Sequence, residues 1–217
     1  MLTIRDISVK IGQVEAIRNF SMDVAPGSMI GLVGRNGAGK TTVMRAIMGL
    51  ARLGNGSISF DGQNLEKIEV HRRPSLGLGY MPETRGLIPD LTVEENILLP
   101  TWVRPGVDSK AKLKLVYDIM PELVPMAGRK ALLLSGGQQK LVALGRALTV
   151  GTRLLLLDEP FEGVAPALAQ RLSEVISALR SESLSTIMSM SEITHSETLL
   201  DQIWRIERGA NVSDIHA

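Results

Sequence analysis

The sequence predicts an α/β fold with a mainly parallel sheet, an N-terminal antiparallel β lobe and an inserted α-helical lobe. Three observations carry this. The first 24 residues alternate apolar and polar side chains, as half-buried antiparallel strands do. Two continuous apolar runs, MIGLVG and RLLLLDE, are each followed by a helical pattern, as strands buried on both faces are. Between those runs lies a proline-broken helical stretch. With 217 residues, 44% of them hydrophobic, the chain can bury one substantial core, and one globular unit is expected.

In order, LTIRDISVK and IRNFSMDV read as the strands of the small lobe. MIGLVG, residues 29 to 34, reads as a central strand ending in glycine. GKTTVMRAIMGL has helical spacing and stops near Gly54, and SISFDG then reads as a strand and turn. GLGYMP, residues 77 to 82, reads as a further short strand. From Thr92 to about Gly128 the pattern is helical and interrupted by Pro100, Pro105, Pro121 and Pro125, with VDSKAKLKLVYDIM as its best amphipathic stretch. GGQQKLVALGRAL (helix), RLLLLDE (strand), APALAQRLSEVISALR (helix) and STIMSM (strand) restore the alternation. The expected division is a core of residues 1–81 and 135–217, with residues 82–134 forming the helical lobe and its flexible linkers.

Composition narrows the function. A net charge of +1 and 3% aromatic residues give neither a field nor stacking surfaces for nucleic acid, so no nucleic-acid partner is expected. The apolar runs fall short of the ~18 residues of a membrane span, and no cationic, apolar leader is evident. The absence of cysteine excludes thiolate metal sites and favours an intracellular compartment. His71, His195 and His216 are too scattered to form a ligand cluster.

Three motifs carry chemistry. GRNGAGKT, residues 34 to 41, fits G-x-x-x-x-G-K-[ST] between a buried strand and a helix. Its glycines let backbone N–H groups approach phosphate, and the helix N-terminus favours negative charge. Gly34, Arg35, Asn36, Gly37, Ala38, Gly39, Lys40, Thr41 and Thr42 are therefore the expected phosphate-binding residues, with Lys40 reaching the β- and γ-phosphates and Thr41 ligating Mg²⁺. RLLLLDEP delivers Asp158 and Glu159 at the carboxyl end of a strand, where open α/β sheets place ligands. Asp158 is expected in the Mg²⁺ shell and Glu159 as the general base for the attacking water. LSGGQQK places Ser135, Gly136, Gly137 and Gln138 at the start of a helix, with Ser135 as a good N-cap. That is either an ordinary capped helix or a second phosphate site, and a head-to-tail dimer would bring it to the first.

GRNGAGKT, YMPETRG with TVEEN, LSGGQ, LLLLDEP and FEGVAP, in this order, resemble the ATP-binding subunit of an ATP-binding-cassette transporter over nearly the whole chain. Glu83 and the EGVAP continuation are most similar to the ATPases of branched-chain amino acid, urea or amide importers. The resemblance implies a homo- or heterodimer of such subunits with two ATP molecules at its interface, each between Lys40 and its neighbours on one chain and the LSGGQ residues of the other. Gly163 to Ala165 would form the loop crossing that interface. The helical lobe would grip the transmembrane permease subunits, which puts the chain at the cytoplasmic face of the cell membrane, with a solute-binding protein involved indirectly. ATP binding would close the dimer and hydrolysis reopen it.

Three positions depart from the family pattern. Ile11 stands where an aromatic residue usually stacks on adenine, a contact worth ~1 to 3 kcal/mol; as an adenine-site residue it implies weaker binding. Glu83 stands where glutamine usually reaches the Mg²⁺ shell and the attacking water, and a carboxylate also suits a hard cation. In TIMSMSEITHSE, residues 186 to 197, Glu192 and not His195 aligns with the γ-phosphate-sensing histidine. Two negative charges about 4 Å apart repel by roughly 4 kcal/mol at an effective dielectric of 20. An ionised Glu192 must therefore turn away, bind through water or be protonated, and a slow phosphate site that needs a different partner subunit is expected. Two other readings are a soluble ATPase acting on DNA or ribosomes, disfavoured because the chain has neither a long coiled coil nor tandem cassettes, and a regulatory nucleotide-binding module, disfavoured by Glu159.

Overall fold

In the computed structural model, the described residues are 1–103, 106–180, 184–193 and 197–212. The small lobe opens with β1 (Leu2–Ile11) and β2 (Val14–Val24), paired antiparallel across a two-residue turn in which Gly12 takes a positive φ of 60°. Leu2 and Ile4, then Ile7 and Val9, are buried on one face. That sequence of contacts is one residue out of a strict period of two. The chain absorbs the extra residue in a register shift between Ile4 and Ile7, where Asp6 has φ 46°, opposite a partner strand in which Asn19 has φ 46°. Without such a bulge Ile7 and Val9 would face solvent.

β3 (Met29–Val33) is wholly buried and leads through a glycine loop into α1 (Lys40–Ile47). β4 (Leu53–Phe60) and the short β5 (Gln63–Asn64) return to the small lobe, giving an antiparallel sheet of order β2-β1-β4-β5. β4 begins four residues before the SISF run, because LGNG lacks apolar alternation and is fixed in the strand by pairing with β1. After two 3₁₀ turns, β6 (Leu78–Met81) joins a second sheet.

The segment after β6 holds α2 (Val93–Leu98) and α3 (Ser109–Ile119), and then α4 (Gly136–Val150) begins. Thr92 and Glu95 close α2 with a capping box, and Asp108 caps α3. β7 (Leu154–Asp158), α5 (Pro166–Arg180), β8 (Ser185–Met190), β9 (Gln202–Glu207) and β10 (Ala210–Asn211) complete the order.

The second sheet runs β10-β9-β3-β8-β7-β6, parallel from β9 to β6, with β10 antiparallel at the edge. Neither β9 nor β10 is foreseen from the sequence: QIWRIE is half exposed and mixes charge with apolar residues. Both faces of this sheet are covered. Leu154 and Leu156 of β7 join the core formed with α1 and the small lobe, and Leu155 and Leu157 join the core formed with α4, α5, α2 and α3. The order β3-β8-β7 sets the carboxyl ends of three strands side by side, the place where such sheets bind ligands.

Asn96, fully buried in α2, ties the loop before that helix. Its amide nitrogen donates to the carbonyls of Ile88, Leu91 and Thr92 at 3.0 to 3.2 Å, and its oxygen accepts from the Ile88 N–H at 2.8 Å. Asn96→Ala leaves the Ile88 N–H without its partner and takes the side-chain donor from three carbonyls that each keep one backbone donor, and is expected to cost about 1–3 kcal/mol. Urea unfolding checks this; a change in stability below about 0.5 kcal/mol would show the loop to be held by its other contacts.

Candidate functional site

The loop from Gly34 to Gly39 is pinned at its two ends by glycines where no side chain fits. A side chain at Gly34 would meet the Ile206 carbonyl at 2.3 Å, and Gly39, at φ 112°, would meet Ile17 and the Ala16 carbonyl. Gly39 caps α1 without a side chain, so the first N–H groups of that helix keep their capacity for an anion. Lys40, 4% exposed, folds back over the loop. Its ammonium donates to the carbonyls of Gly34 (2.5 Å) and Arg35 (3.1 Å) and pairs with Glu159 Oε1 at 2.9 Å.

At the end of β7, Asp158 is fully buried and accepts three hydroxyl hydrogen bonds: Thr41 at 3.0 Å, Ser189 at 2.7 Å and Tyr80 at 3.2 Å. Burial, and then the Asp158 carboxylate it faces, push the Tyr80 phenol far above its ordinary value. Among the described residues no cation is paired with Asp158, although a buried carboxylate ordinarily has one. The Thr41 and Asp158 oxygens are the pair that could hold a hard divalent ion, the remaining positions going to water and phosphate.

Glu159 has a left-handed backbone, φ 48°. Its N–H donates to Ser189 Oγ at 2.9 Å, and its carboxylate accepts from Ser191 Oγ at 3.1 Å. Ser191 Oγ is also 2.7 Å from Asn36 Oδ1 and 3.5 Å from Lys40 Nζ.

Many of the expected residues thus come together. A cleft of ≈ 480 Å³ is lined by Ile11, Ala16, Asn36, Gly37, Gly39, Lys40, Thr41, Thr42, Glu83, Glu159 and Glu162, and an adjoining cleft of ≈ 470 Å³ brings Thr41, Tyr80, Glu83 and Asp158 to one wall. Arg35 is exposed beside the loop and Ala38 is buried beneath it. Ile11 is 54% exposed at the cleft rim. Ser135, Gly136, Gly137 and Gln138 line neither cleft. They start α4 with a capping box, Ser135 Oγ accepting from the Gln138 N–H and Gln138 Oε1 from the Ser135 N–H.

Glu192 is exposed and lines neither cleft; the residue of that strand end that reaches Lys40 and Glu159 is Ser191. His195 and His216 lie outside the described residues. Ser189, Ser191, Tyr80 and Lys140 fall within the quoted stretches, but no motif assigns them a role. Alternation along β8 was the available signal for Ser189, a hydroxyl in a strand buried at every position. Lys140, 4% exposed, donates to the carbonyls of Glu159 (2.9 Å), Pro160 (3.1 Å) and Glu162.

Although Glu83 is exposed, desolvation at the cleft wall, followed by the neighbouring carboxylates Glu162, Asp158 and Glu159, raises its carboxyl above its ordinary value. A carboxyl raised by folding contributes stability at low pH and loses it as pH rises through the folded-state value. Glu83→Gln removes that loss. The variant is expected to melt slightly higher than the natural chain at neutral pH, the advantage shrinking as pH falls towards about 4.5. Calorimetry across that range checks it, and a difference independent of pH would contradict it.

Comparison with known proteins fits this geometry. The ABC transporter family profile matches residues 17–162. A high-affinity branched-chain amino acid transport ATP-binding protein of Pseudomonas aeruginosa, BraG, is 31% identical over 96% of this chain and 90% of its own length. A probable branched-chain amino acid transport ATP-binding protein of Archaeoglobus fulgidus, LivF, is 30% identical over 87% and 81%. The lipopolysaccharide export ATP-binding protein LptB of Haemophilus influenzae is 28% identical over 96% and 88%. Among solved structures, an ATP-binding cassette of an ABC transporter in its ADP conformation superposes with a TM-score of 0.84 at 24% identity, covering 98% of this chain and 89% of that one. A dimeric cassette bound to ADP and phosphate superposes at 0.86 and 20% identity, covering 98% and 97%, so the fold is shared. The phosphate loop, the paired carboxylates and the LSGGQ helix therefore belong to a member of the ABC transporter family, and the chain is an ATPase subunit of that family.

Proposed function

We propose that this chain is the ATP-binding subunit of an importer for a small solute, a branched-chain or other amino acid, urea or an amide. It acts as half of a head-to-tail dimer beneath a separate permease. The single observation that carries the reading is a split site. The cleft collects Asn36, Lys40, Thr41 and Glu159 with Asp158 beside it, while Ser135 to Gln138 lie outside it. A second copy of the same kind of surface supplies what the first lacks.

Charge at the start of α4 supports this. The helix N-terminus is already electropositive, yet the Arg85 guanidinium stands beside it: Arg85 Nη1 donates to Gln139 Oε1 at 2.9 Å, and a side chain at Gly136 would come within 3.3 Å of Nη2. Two positive features side by side favour an anion between subunits, as the γ-phosphate of a partner's ATP would be.

Within the cleft, phosphate competes with Glu159 for Lys40. As Lys40 turns to phosphate oxygens, Glu159 Oε1 is freed to accept a proton from water, the work of a general base. Thr41 and Asp158 would hold Mg²⁺, with Glu83 as a further oxygen, and the ion would neutralise phosphate charge. The branched-chain relatives and Glu83 favour import of amino acids or similar solutes over export. Among the described residues no helix is long and apolar enough to cross a membrane, and a peripheral place on the cytoplasmic face follows from the permease partner. The exposed Glu192 and the aliphatic Ile11 favour a slow site in the isolated chain, quickened by assembly.

ATPase rates of the purified chain, alone and with the membrane subunits that co-purify with it, test the reading. Glu159→Gln is expected to lower the assembled rate by at least about 100-fold and to trap an ATP-bound dimer detectable by sedimentation; hydrolysis untouched by this change, or no dimer, defeats it. Uptake of leucine against urea in vesicles containing the assembly separates the solutes. Ile11→Tyr is expected to tighten ATP binding by about 5- to 100-fold through base stacking, measured by calorimetry, and an unchanged dissociation constant removes Ile11 from the adenine site.

A further inference from the structure

Lys140 is set apart by where its charge is placed. It lies in the second turn of α4, is 4% exposed, and its ammonium donates to three backbone carbonyls, those of Glu159, Pro160 and Glu162. These belong to the single turn that follows β7. A buried ammonium is costly to desolvate, and a purely structural contact between a helix and a turn is met more cheaply by apolar packing. Here all three acceptors converge on the turn whose first residue is Glu159.

That residue needs holding. Its left-handed φ of 48° is disfavoured for a residue with a Cβ by roughly 1–2 kcal/mol. Ser189 fixes its N–H from β8, Lys40 and Ser191 engage its carboxylate, and Lys140 fixes its carbonyl from the opposite side. The Glu159 carbonyl also accepts from the Glu162 N–H at 3.2 Å, so Lys140 tightens the turn as a whole. The same α4 begins at Ser135, outside the cleft that holds Glu159.

We infer that Lys140 is a positioning residue for Glu159: it clamps the turn after β7 to the LSGGQ helix, so that seating this helix on a partner subunit sets the backbone of the general base in its own cleft. The inference rests on Glu159 acting as the base. It gives each chain a rigid connection between the half-site it lends and the half-site it keeps. A shift of about 1 Å at such a base lowers turnover by roughly 100-fold with little effect on ground-state binding.

Two variants of the full chain test this, each assayed under the assembly conditions that give the natural chain its highest rate. Lys140→Met keeps the apolar stem and removes the donors; Lys140→Gln keeps amide donors for the carbonyls and removes the charge. The Met variant is expected to lower kcat by about 10- to 100-fold, with KM for ATP and the ADP dissociation constant by calorimetry within about 2-fold of the natural chain, and the Gln variant to recover at least about one third of the loss on a logarithmic scale. A Met variant within about 2-fold of the natural kcat overturns the inference. So does equal loss in both variants accompanied by matching loss of ADP affinity, since that is damage to the fold. Should the Met variant fail to fold, a Gln variant with natural ADP affinity and reduced kcat still supports the inference, and one with natural kcat overturns it. If Glu159→Gln hydrolyses ATP as fast as the natural chain, the assignment of the base fails, and the role of Lys140 with it.

Discussion

The buried carboxylate of Asp158 is the constraint on which the site depends. It sits at the end of a strand whose every side chain is buried, and three elements send a hydroxyl to it: Thr41 from α1, Tyr80 from β6 and Ser189 from β8. Those donors require a particular register. Asp158 lies opposite Ser189 and Tyr80 opposite Leu156, and a one-residue slip in either pairing would turn the hydroxyl to the other face of the sheet. Apolar packing alone tolerates more variation in detail. The polar network is what makes one register the cheapest, because every alternative takes a donor from a buried carboxylate.

The same network explains how Glu159, the proposed general base, is presented. A strand residue at position 159 with ordinary extended geometry would continue the ladder of β7. The left-handed turn there ends the strand and carries the Glu159 side chain to Lys40. Both partners of that pair are nearly buried, at 5% and 7% side-chain exposure, so the pair contributes little net stability beyond offsetting its own desolvation. Its value lies in what it can exchange. In the proposed reaction an incoming phosphate would offer Lys40 a partner of higher charge and leave Glu159 beside the substrate, so that binding and activation of the base would be one event.

Much of this was legible in the sequence, for identifiable reasons. Gly34, Gly39, Lys40 and Thr41 are spelled by a motif because backbone approach to phosphate admits few alternatives; the close contacts of Gly34 with Ile206 and of Gly39 with Ile17 and Ala16 add a separate packing requirement. Asp158 and Glu159 stand out only beside the phosphate loop, since an acidic end to a buried strand is by itself an ordinary polar turn. Ser189, Ser191, Tyr80 and Lys140 carry no such mark. Each is an ordinary residue type whose role comes from a partner 19 to 151 positions away. The bulges at Asp6 and Asn19 were hidden because a period of two was read straight through them, and β9 was hidden because its pairing with β3 outweighs its weak local pattern. At the end of β8 the alignment pointed to Glu192, whereas the pleat turns its predecessor into the site: alternate residues face opposite sides, and Ser189 and Ser191 share the side occupied by the two carboxylates.

Separating the two half-sites within one chain has a physical consequence for the assembly. The start of α4 is finished as a helix terminus, with Ser135 and Gln138 satisfying each other's N–H groups, so it does not need a ligand to fold. The first N–H groups of the helix beyond that box have no partner inside it, and Arg85 adds positive charge beside them. Such a surface gains little from water or from another cationic protein face, and gains most from a multiply charged anion held at a fixed place. In the proposed head-to-tail dimer, the nucleotide cleft of a second subunit would hold its phosphates in that way. In the proposed dimer the γ-phosphate would supply the anion that the start of α4 lacks, since in the empty cleft Lys40 is already paired with Glu159. On that proposed reading, bound ATP would strengthen the association of the two chains, and loss of the bridging γ-phosphate on hydrolysis would weaken it.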